Sequence, residues 1–193
     1  MALKPIKIYG DWTEGYAMDV HTVHSEIVGE DVFGHPIFKN DRSKLGELLY
    51  HFKYKNVYEN LDLIMEEIEP FLDSWAALRS VDIVISVPPS KPRVYQPAEE
   101  IADAIGKYID RGFYNDVLLK TSSIQSKNLD GEKDALEGTI SLQKFAKREY
   151  NILIVDDLYM TGRSLNECVR ALREDEKVKD IFVLTITKTK NSR

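Results

Sequence analysis

The sequence has a single cysteine, Cys168, and no apolar run long enough to cross a membrane. One cysteine can form neither an internal disulfide nor a zinc knuckle. The amino-terminal stretch MALKPIKIYG lacks the apolar run of a signal peptide, so we expect a cytoplasmic protein. A membrane-spanning helix needs roughly 18 apolar residues, which argues against a membrane partner.

The sequence is also short of basic residues, with 26 Lys and Arg against 32 Asp and Glu and a net charge of −6. Affinity for the nucleic-acid backbone comes from clustered Lys and Arg, so nucleic acid is not expected as a main partner. A chain of 193 residues, 43% of them hydrophobic, is the size of one globular domain with a real core. The composition leaves a homo-oligomer open.

The first 80 residues carry two hydrophobic patterns. From Ile6 to about Val28 apolar and polar residues alternate, which predicts an antiparallel β-hairpin appendage within residues 1–40. Its aromatic residues Trp12 and Tyr16 are expected to pack in the core, with a hood that recognises an acceptor as the alternative. Residues 41–80 predict two packing helices. The first is capped by Asp41 or Ser43 and presents Leu45, Leu48, Leu49 and Phe52 on one face, and the second covers Tyr58 to Phe71.

From residue 81 to residue 193 short apolar runs alternate with amphipathic stretches. VDIVISV, DVLLKT, NILIVDD and DIFVLTIT predict strands, whereas QPAEEIADAIGKYI and SLNECVRAL predict helices. The polar residues 122–134 predict a long loop. Strands that alternate with helices indicate a largely parallel, twisted sheet covered on both faces.

Ligands of such sheets bind outside the carboxyl ends of the strands, so the residues after VDIVISV are candidates for a site. The sequence SVPPSKPR follows that strand and offers the hydroxyl groups of Ser86 and Ser90 and the cations of Lys91 and Arg93. These donors suit a phosphate, while the prolines fix the shape of the loop. The alternative is a rigid surface turn that happens to hold basic residues.

The second strand end, NILIVDDLYMTGRS, carries two adjacent acids. Asp156 and Asp157 point to opposite faces while the strand is extended, so only the turn beyond can bring both near one ligand. Carboxylates accept hydrogen bonds from sugar hydroxyls or hold hydrated Mg²⁺. Gly162 lets backbone amides converge, Thr161 and Ser164 add hydroxyls, and the following helix start favours an anion. The alternative is that the two acids merely cap that helix.

ILIVDDLYMTGRS resembles the phosphoribosyl-diphosphate (PRPP) binding motif of type I phosphoribosyltransferases. SVPPSKPRVYQPAEEIADAIG is similar to the Pro-loop region of the ComF-like branch of that family, LYHFKYKN to its lysine-tyrosine segment, and KTSSIQSKNLDGEKDALEGTISL to its Gln-containing loop. The resemblance spans residues 43–187. It implies a single type I phosphoribosyltransferase-like domain, with a twisted, mainly parallel sheet flanked by helices and the PRPP-binding core in residues 81–193.

The resemblance also implies a role for each site residue. Asp156 and Asp157 would be the catalytic pair, holding the ribose hydroxyls directly or through Mg²⁺-bound water. Residues 121–134 would be a flap that closes over the site, with an ordinary exposed loop as the alternative. The implied contacts are Met160, Thr161, Gly162, Arg163 and Ser164 for the 5-phosphate, Pro88, Pro89, Ser90, Lys91 and Arg93 for the diphosphate, and Lys120, Gln125 and Lys127 for the flap.

The implied activity is Mg²⁺-dependent transfer of ribose 5-phosphate from PRPP to a nitrogen acceptor, with release of diphosphate. Two departures from the family weaken it: Met160 stands where many purine-using relatives have an acid, and the zinc-binding cysteines of many ComF-like proteins are absent. A PRPP-sensing or accessory protein without transferase activity, linked to DNA uptake or handling, is therefore the alternative. A third reading is an unrelated α/β nucleotide-binding protein with a convergent turn.

Overall fold

The computed structural model describes residues 3–89, 95–120 and 139–190. These residues form ten strands, four α-helices and one short 3-10 helix. The strands are β1 Ile6–Lys7, β2 Glu14–Val20, β3 Thr22–Glu30, β4 Pro36–Arg42, β5 Ile83–Ser86, β6 Gly112–Phe113, β7 Leu118–Lys120, β8 Ile140–Leu142, β9 Tyr150–Tyr159 and β10 Val178–Lys188. The helices are α1 Lys44–Tyr54, α2 Asn60–Ser74, α3 Pro97–Tyr108 and α4 Arg163–Leu172, and the 3-10 helix is Ala76–Ser80.

Six strands form the central sheet in the order β1-β2-β10-β9-β5-β6. β2, β10, β9, β5 and β6 run parallel to one another, and β1 alone is antiparallel to its neighbour. Helices cover both faces of this sheet. The structure therefore confirms the predicted α/β class, a mainly parallel sheet flanked by helices.

Strand β9 supplies side chains to two separate cores, as its alternating directions require. Leu153 and Val155 lie in a core with α1, α2 and α3, whereas Ile152 and Ile154 lie in a core with α4. Ser43 accepts a hydrogen bond from the backbone of Gly46 at 3.0 Å and so caps α1, as predicted. Both faces of the sheet are thus closed by packing.

The crossover connections on the two sides of β5 lie on opposite faces of the sheet. β5 is followed by α3 and then by β6 at the sheet edge, while β9, on the other side of β5, is followed by α4 and β10. α3 and α4 pack on opposite faces of the sheet. A crevice forms where such crossovers diverge, and here it lies at the carboxyl ends of β5 and β9.

The amino-terminal strands differ from the prediction of a single hairpin appendage. β1 pairs with β2 within the central sheet, and β2 continues this sheet by pairing parallel with β10. β3 and β4 form a separate two-stranded sheet. Trp12 is buried and Tyr16 packs edge-on against Phe71 and Trp75, so both aromatic residues belong to the core. Their packing requires β2 in the central sheet.

The strand predicted from DVLLKT also lies outside the central sheet. β7 pairs antiparallel with β8 as a second two-stranded sheet, with Leu118 buried and Leu119 exposed. This half-buried alternation suits a strand that is solvated on one face. The edge of the central sheet is instead formed by β6, whose two residues are too few to show a period.

Cys168 is fully buried in α4, where it packs as a small apolar side chain. Over residues 3–89, 95–120 and 139–190, no helix is both long and apolar enough to cross a membrane.

Candidate functional site

A pocket of about 280 Å³ lies at the carboxyl ends of β5 and β9. It brings together Pro88 and Pro89, the two acids Asp156 and Asp157, and the turn residues 160–164, with the start of α3 and the end of α1, whereas the predicted contact Lys120 is not among its lining residues. Its lining consists of Lys53, Tyr54, Val87, Pro88, Pro89, Gln96, Pro97, Ala98, Glu99, Asp156, Asp157, Leu158, Tyr159, Met160, Thr161, Gly162, Arg163, Ser164 and Leu165.

The two acids stay within the strand instead of following its end. β9 continues to Tyr159, and Asp156 is paired with Thr185 of β10. Because the backbone is still extended, the two carboxylates leave on opposite faces, Asp157 on the side of α1 and Asp156 on the side of α4. Because both acids line the pocket, the pocket extends around the end of β9 from one face of the sheet to the other.

Asp157 forms an ion pair with Lys53 at the end of α1. Lys53 Nζ lies 2.5 Å from Asp157 Oδ2, and the two side chains are 19% and 12% exposed. Burial by itself lowers the pKa of Lys53, but the charge of Asp157 and the hydrogen bond to it outweigh burial, so the pKa is raised. Lys53 therefore stays protonated beside Asp157.

The surroundings of Asp156 disfavour its charged form. Its pKa is raised to about 7, first by burial and then by the charge of Asp157, while Lys53 and Lys120 oppose that shift. Lys120, predicted as a flap contact, is placed by the structure on the same side as Asp156 and Cys168. Burial lowers the pKa of Lys120.

The raised pKa of Asp156 predicts a pH dependence of stability. The native state holds the Asp156 proton more tightly than the unfolded chain, so stability is lost as the pH rises from 3.8 to about 7. Asp156→Asn removes this loss. Since the carboxyl keeps some contact with water, we expect the variant to be more stable than wild type at pH 8 by about 1–2 kcal/mol. Urea unfolding of the metal-free protein measures this difference.

The same comparison at pH 5 provides the internal check. Wild-type Asp156 is then mostly protonated and resembles the amide, so the difference should nearly vanish. Glu66→Gln, which makes the same charge change on the exposed face of α2, controls for net charge. An equal difference at both pH values, or a variant less stable than wild type at pH 8, would show that Asp156 is not destabilised when charged.

The turn after β9 has the shape expected of an anion cradle. Gly162 has a φ of +74°, a left-handed conformation that L side chains rarely adopt, and α4 begins at the next residue. The Thr161 hydroxyl accepts a hydrogen bond from the Arg163 amide at 3.4 Å, and Met160 is exposed. The N-cap of α4 is Gly162, which has no side chain, and not Asp156 or Asp157, so the alternative that the two acids cap this helix is wrong. The first amides of α4 lie at the positive end of the helix dipole, and this end of the helix lines the pocket.

The loop after β5 provides the opposite wall. The Val87 amide donates to the Val155 carbonyl at 3.0 Å, which extends the pairing of β5 with β9 up to the prolines. Pro88 and Pro89 line the pocket. The other predicted contacts Ser90, Lys91, Arg93, Gln125 and Lys127 lie outside the described residues, as does the predicted flap 121–134.

The sequence did not single out Lys53 as a site residue. One feature of the sequence could have indicated Lys53. It directly follows Phe52, which is buried, in LYHFKYKN, the segment that is similar to one of the ComF-like branch. Tyr54 and the start of α3 at Pro97 also line the pocket and were not predicted.

The carboxylates of the pocket can be compared with the ligands that Mg²⁺ requires. Among the residues described, no three His, Cys, Asp or Glu side chains cluster as a metal cage. Asp156 and Asp157 face opposite sides, and Asp157 already has a cationic partner. Mg²⁺ is commonly held by one or two carboxylates together with water and substrate phosphates, and this arrangement can supply the carboxylates.

Comparison with curated proteins gives one clear relative. Competence protein ComFC of Bacillus subtilis (strain 168) is 24% identical over 107 residues, which is 55% of this chain and 45% of ComFC. Over that region the chain is similar in sequence to ComFC. The similarity confirms the resemblance predicted from the motifs. No protein-family model matches the chain, and the matched region spans less than half the length of ComFC.

Comparison with solved structures also finds matches, at low sequence identity. UMP synthase of Leishmania donovani is 17% identical, covers 85% of this chain and 28% of its own, and has a TM-score of 0.39. Adenine phosphoribosyltransferase of Saccharomyces cerevisiae is 15% identical, covers 84% of this chain and 83% of its own, and has a TM-score of 0.41.

Proposed function

We propose that the chain is a phosphoribosyltransferase that binds PRPP with Mg²⁺ in this pocket and transfers ribose 5-phosphate to a nitrogen acceptor, releasing diphosphate. One observation supports the proposal above the others. The adjacent acids of β9, the left-handed turn at Gly162 and the start of α4 line a single pocket at the crevice of a parallel sheet. A sugar phosphate needs this combination of carboxylates and converging amides.

The pocket residues would act by binding and orientation. Asp156 and Asp157 accept hydrogen bonds from ribose hydroxyls or from water, and the amides at the start of α4 hold the 5-phosphate. Bound Mg²⁺ would offset negative charge that develops on the departing diphosphate. No nucleophilic side chain is needed, because positive charge develops on the sugar as the bond to diphosphate breaks.

The residue at position 160 narrows the class of acceptor. Met160 is exposed at the pocket and has no proton to exchange, whereas many purine-using relatives of the resembled family carry an acid there. An acceptor nitrogen that attacks without a general base on this turn fits best. We therefore favour an amine or an already nucleophilic ring nitrogen over a purine base.

The ion pair at Asp157 favours a second candidate, a PRPP-binding protein without transferase activity. Lys53 already neutralises Asp157 in the free protein, as a site built for binding alone would allow. ComFC is a competence protein by name, and only part of its length is matched. A sensing or accessory role connected with DNA uptake would be consistent with such a relative.

Diphosphate release separates the two candidates. Purified protein is incubated with PRPP, Mg²⁺ and each member of a panel of amines and nucleobases, and released diphosphate is measured. Acceptor-dependent release that is lost in an Asp156→Asn, Asp157→Asn variant would support the transferase. PRPP binding without release for any acceptor would favour the sensor, and absence of binding would contradict both.

A further inference from the structure

Lys53 connects α1, on one face of the sheet, to Asp157 of β9. It follows Phe52, which is fully buried, and its α1 helix is fixed by the Ser43 cap and by Leu49. Its ammonium reaches Asp157 across a separation of 104 residues in the sequence. A side chain anchored in this way has little freedom to leave the acid.

Hydrogen bonds also fix the backbone around Asp157. The Asp157 amide donates to Asp156 Oδ1 at 2.9 Å, and its carbonyl accepts from the Thr187 hydroxyl at 3.4 Å. Thr187 is in turn hydrogen-bonded to His21 at 3.1 Å. The carboxylate of Asp157 is therefore presented to the ammonium by a fixed strand, and the pair is preformed.

An ammonium at this position competes with any other cation for Asp157. A divalent ion that approaches the free protein must displace a buried positive charge or bind beside it, and both are unfavourable. PRPP changes this competition, because its negatively charged phosphates can bind both the Lys53 ammonium and the metal ion. The preformed pair thus discriminates between a free metal ion and a metal ion that arrives on its substrate.

We infer that Lys53 is a positioning residue that occupies the cation position at Asp157, so that a divalent metal enters the pocket together with PRPP and not before it. This inference rests on the proposed function for the role of PRPP. The competition between Lys53 and a metal ion at Asp157 can be measured without PRPP.

The test is binding of Mn²⁺ to the free protein, followed by the electron paramagnetic resonance signal of unbound Mn²⁺. Lys53→Met should bind Mn²⁺ about tenfold more tightly than wild type, because the competing charge is gone. Lys53→Gln, which can still donate a hydrogen bond to Asp157, should show the same tightening. This variant replaces Lys53→Met in the test if the methionine variant fails to fold. Lys53→Arg keeps the charge and should bind as wild type does.

Two further variants exclude indirect effects. Lys55→Met removes an exposed cation next to the end of the same helix and should leave Mn²⁺ affinity unchanged. In the double variant Lys53→Met, Asp157→Asn the tightening should disappear, since the carboxylate is also gone. Unchanged affinity in Lys53→Met and Lys53→Gln, or equal tightening in Lys53→Arg, would overturn the inference.

A titration of wild type with PRPP and Mg²⁺ separates this inference from the proposed function. If wild type binds no PRPP, the proposed function fails and the pairing of metal entry with PRPP fails with it. The Mn²⁺ comparison then still decides whether Lys53 holds the cation position at Asp157.

Discussion

Gly162→Val is expected to reduce PRPP affinity about 100-fold or more, because it reshapes the turn that would hold the 5-phosphate. A Cβ at Gly162 would lie 2.9 Å from the Tyr159 hydroxyl oxygen, and the φ of +74° is unfavourable for a β-branched residue. Tyr159 is buried against Trp12, so it cannot easily withdraw. Calorimetric titration with PRPP measures the loss.

The chain offers a matched control for backbone strain. Gly34 has a φ of +79° in the turn between β3 and β4, and a Cβ there would meet nothing within 4 Å. Gly34→Val should cost a similar strain of about 1–3 kcal/mol in the free energy of unfolding and leave PRPP affinity unchanged. If both variants lose affinity equally, the effect of Gly162→Val would be one of general instability and not of the cradle.

Lys53→Met is expected to lower the free energy of unfolding by about 3–5 kcal/mol, the usual cost of leaving one member of a buried ion pair unpaired. Asp157 is 9% exposed, and within the described residues Lys53 is the cation that pairs with it, so its charge would lose the partner that compensates its burial. Urea unfolding at pH 8 measures the change.

The double variant Lys53→Met, Asp157→Asn tests the cause. With both charges removed, most of the lost stability should return, because burial of the charge and not loss of packing carries the cost. Lys55→Met is the matched control and should change stability by less than about 0.5 kcal/mol. A double variant as unstable as the single one would assign the cost to packing of the Lys53 stem.

The sequence was most informative where structure is local. The apolar spacing of Leu45, Leu49 and Phe52 placed α1 correctly, and the sequence around Gly162 indicated a turn that leads into a helix. Each of these features depends on residues within a few positions of one another, which periodicity and residue conformational preferences can read.

Pairings between distant segments were harder to predict. β6 has two residues and no period, and β7 pairs with β8 instead of joining the central sheet. β9 extends past Asp157 to Tyr159 because β10 continues beside it, a constraint that the strand's own sequence does not contain. The same limit hid Lys53, whose partner lies 104 residues away.

The most direct measurement of the central claim is calorimetric titration of the purified protein with PRPP, with and without Mg²⁺. The variant Asp156→Asn, Asp157→Asn, with a folded circular dichroism spectrum, serves as the control. The account predicts saturable PRPP binding by wild type that Mg²⁺ strengthens and that the variant loses. No binding by wild type under either condition would contradict it and would leave a shared sheet architecture without the proposed function.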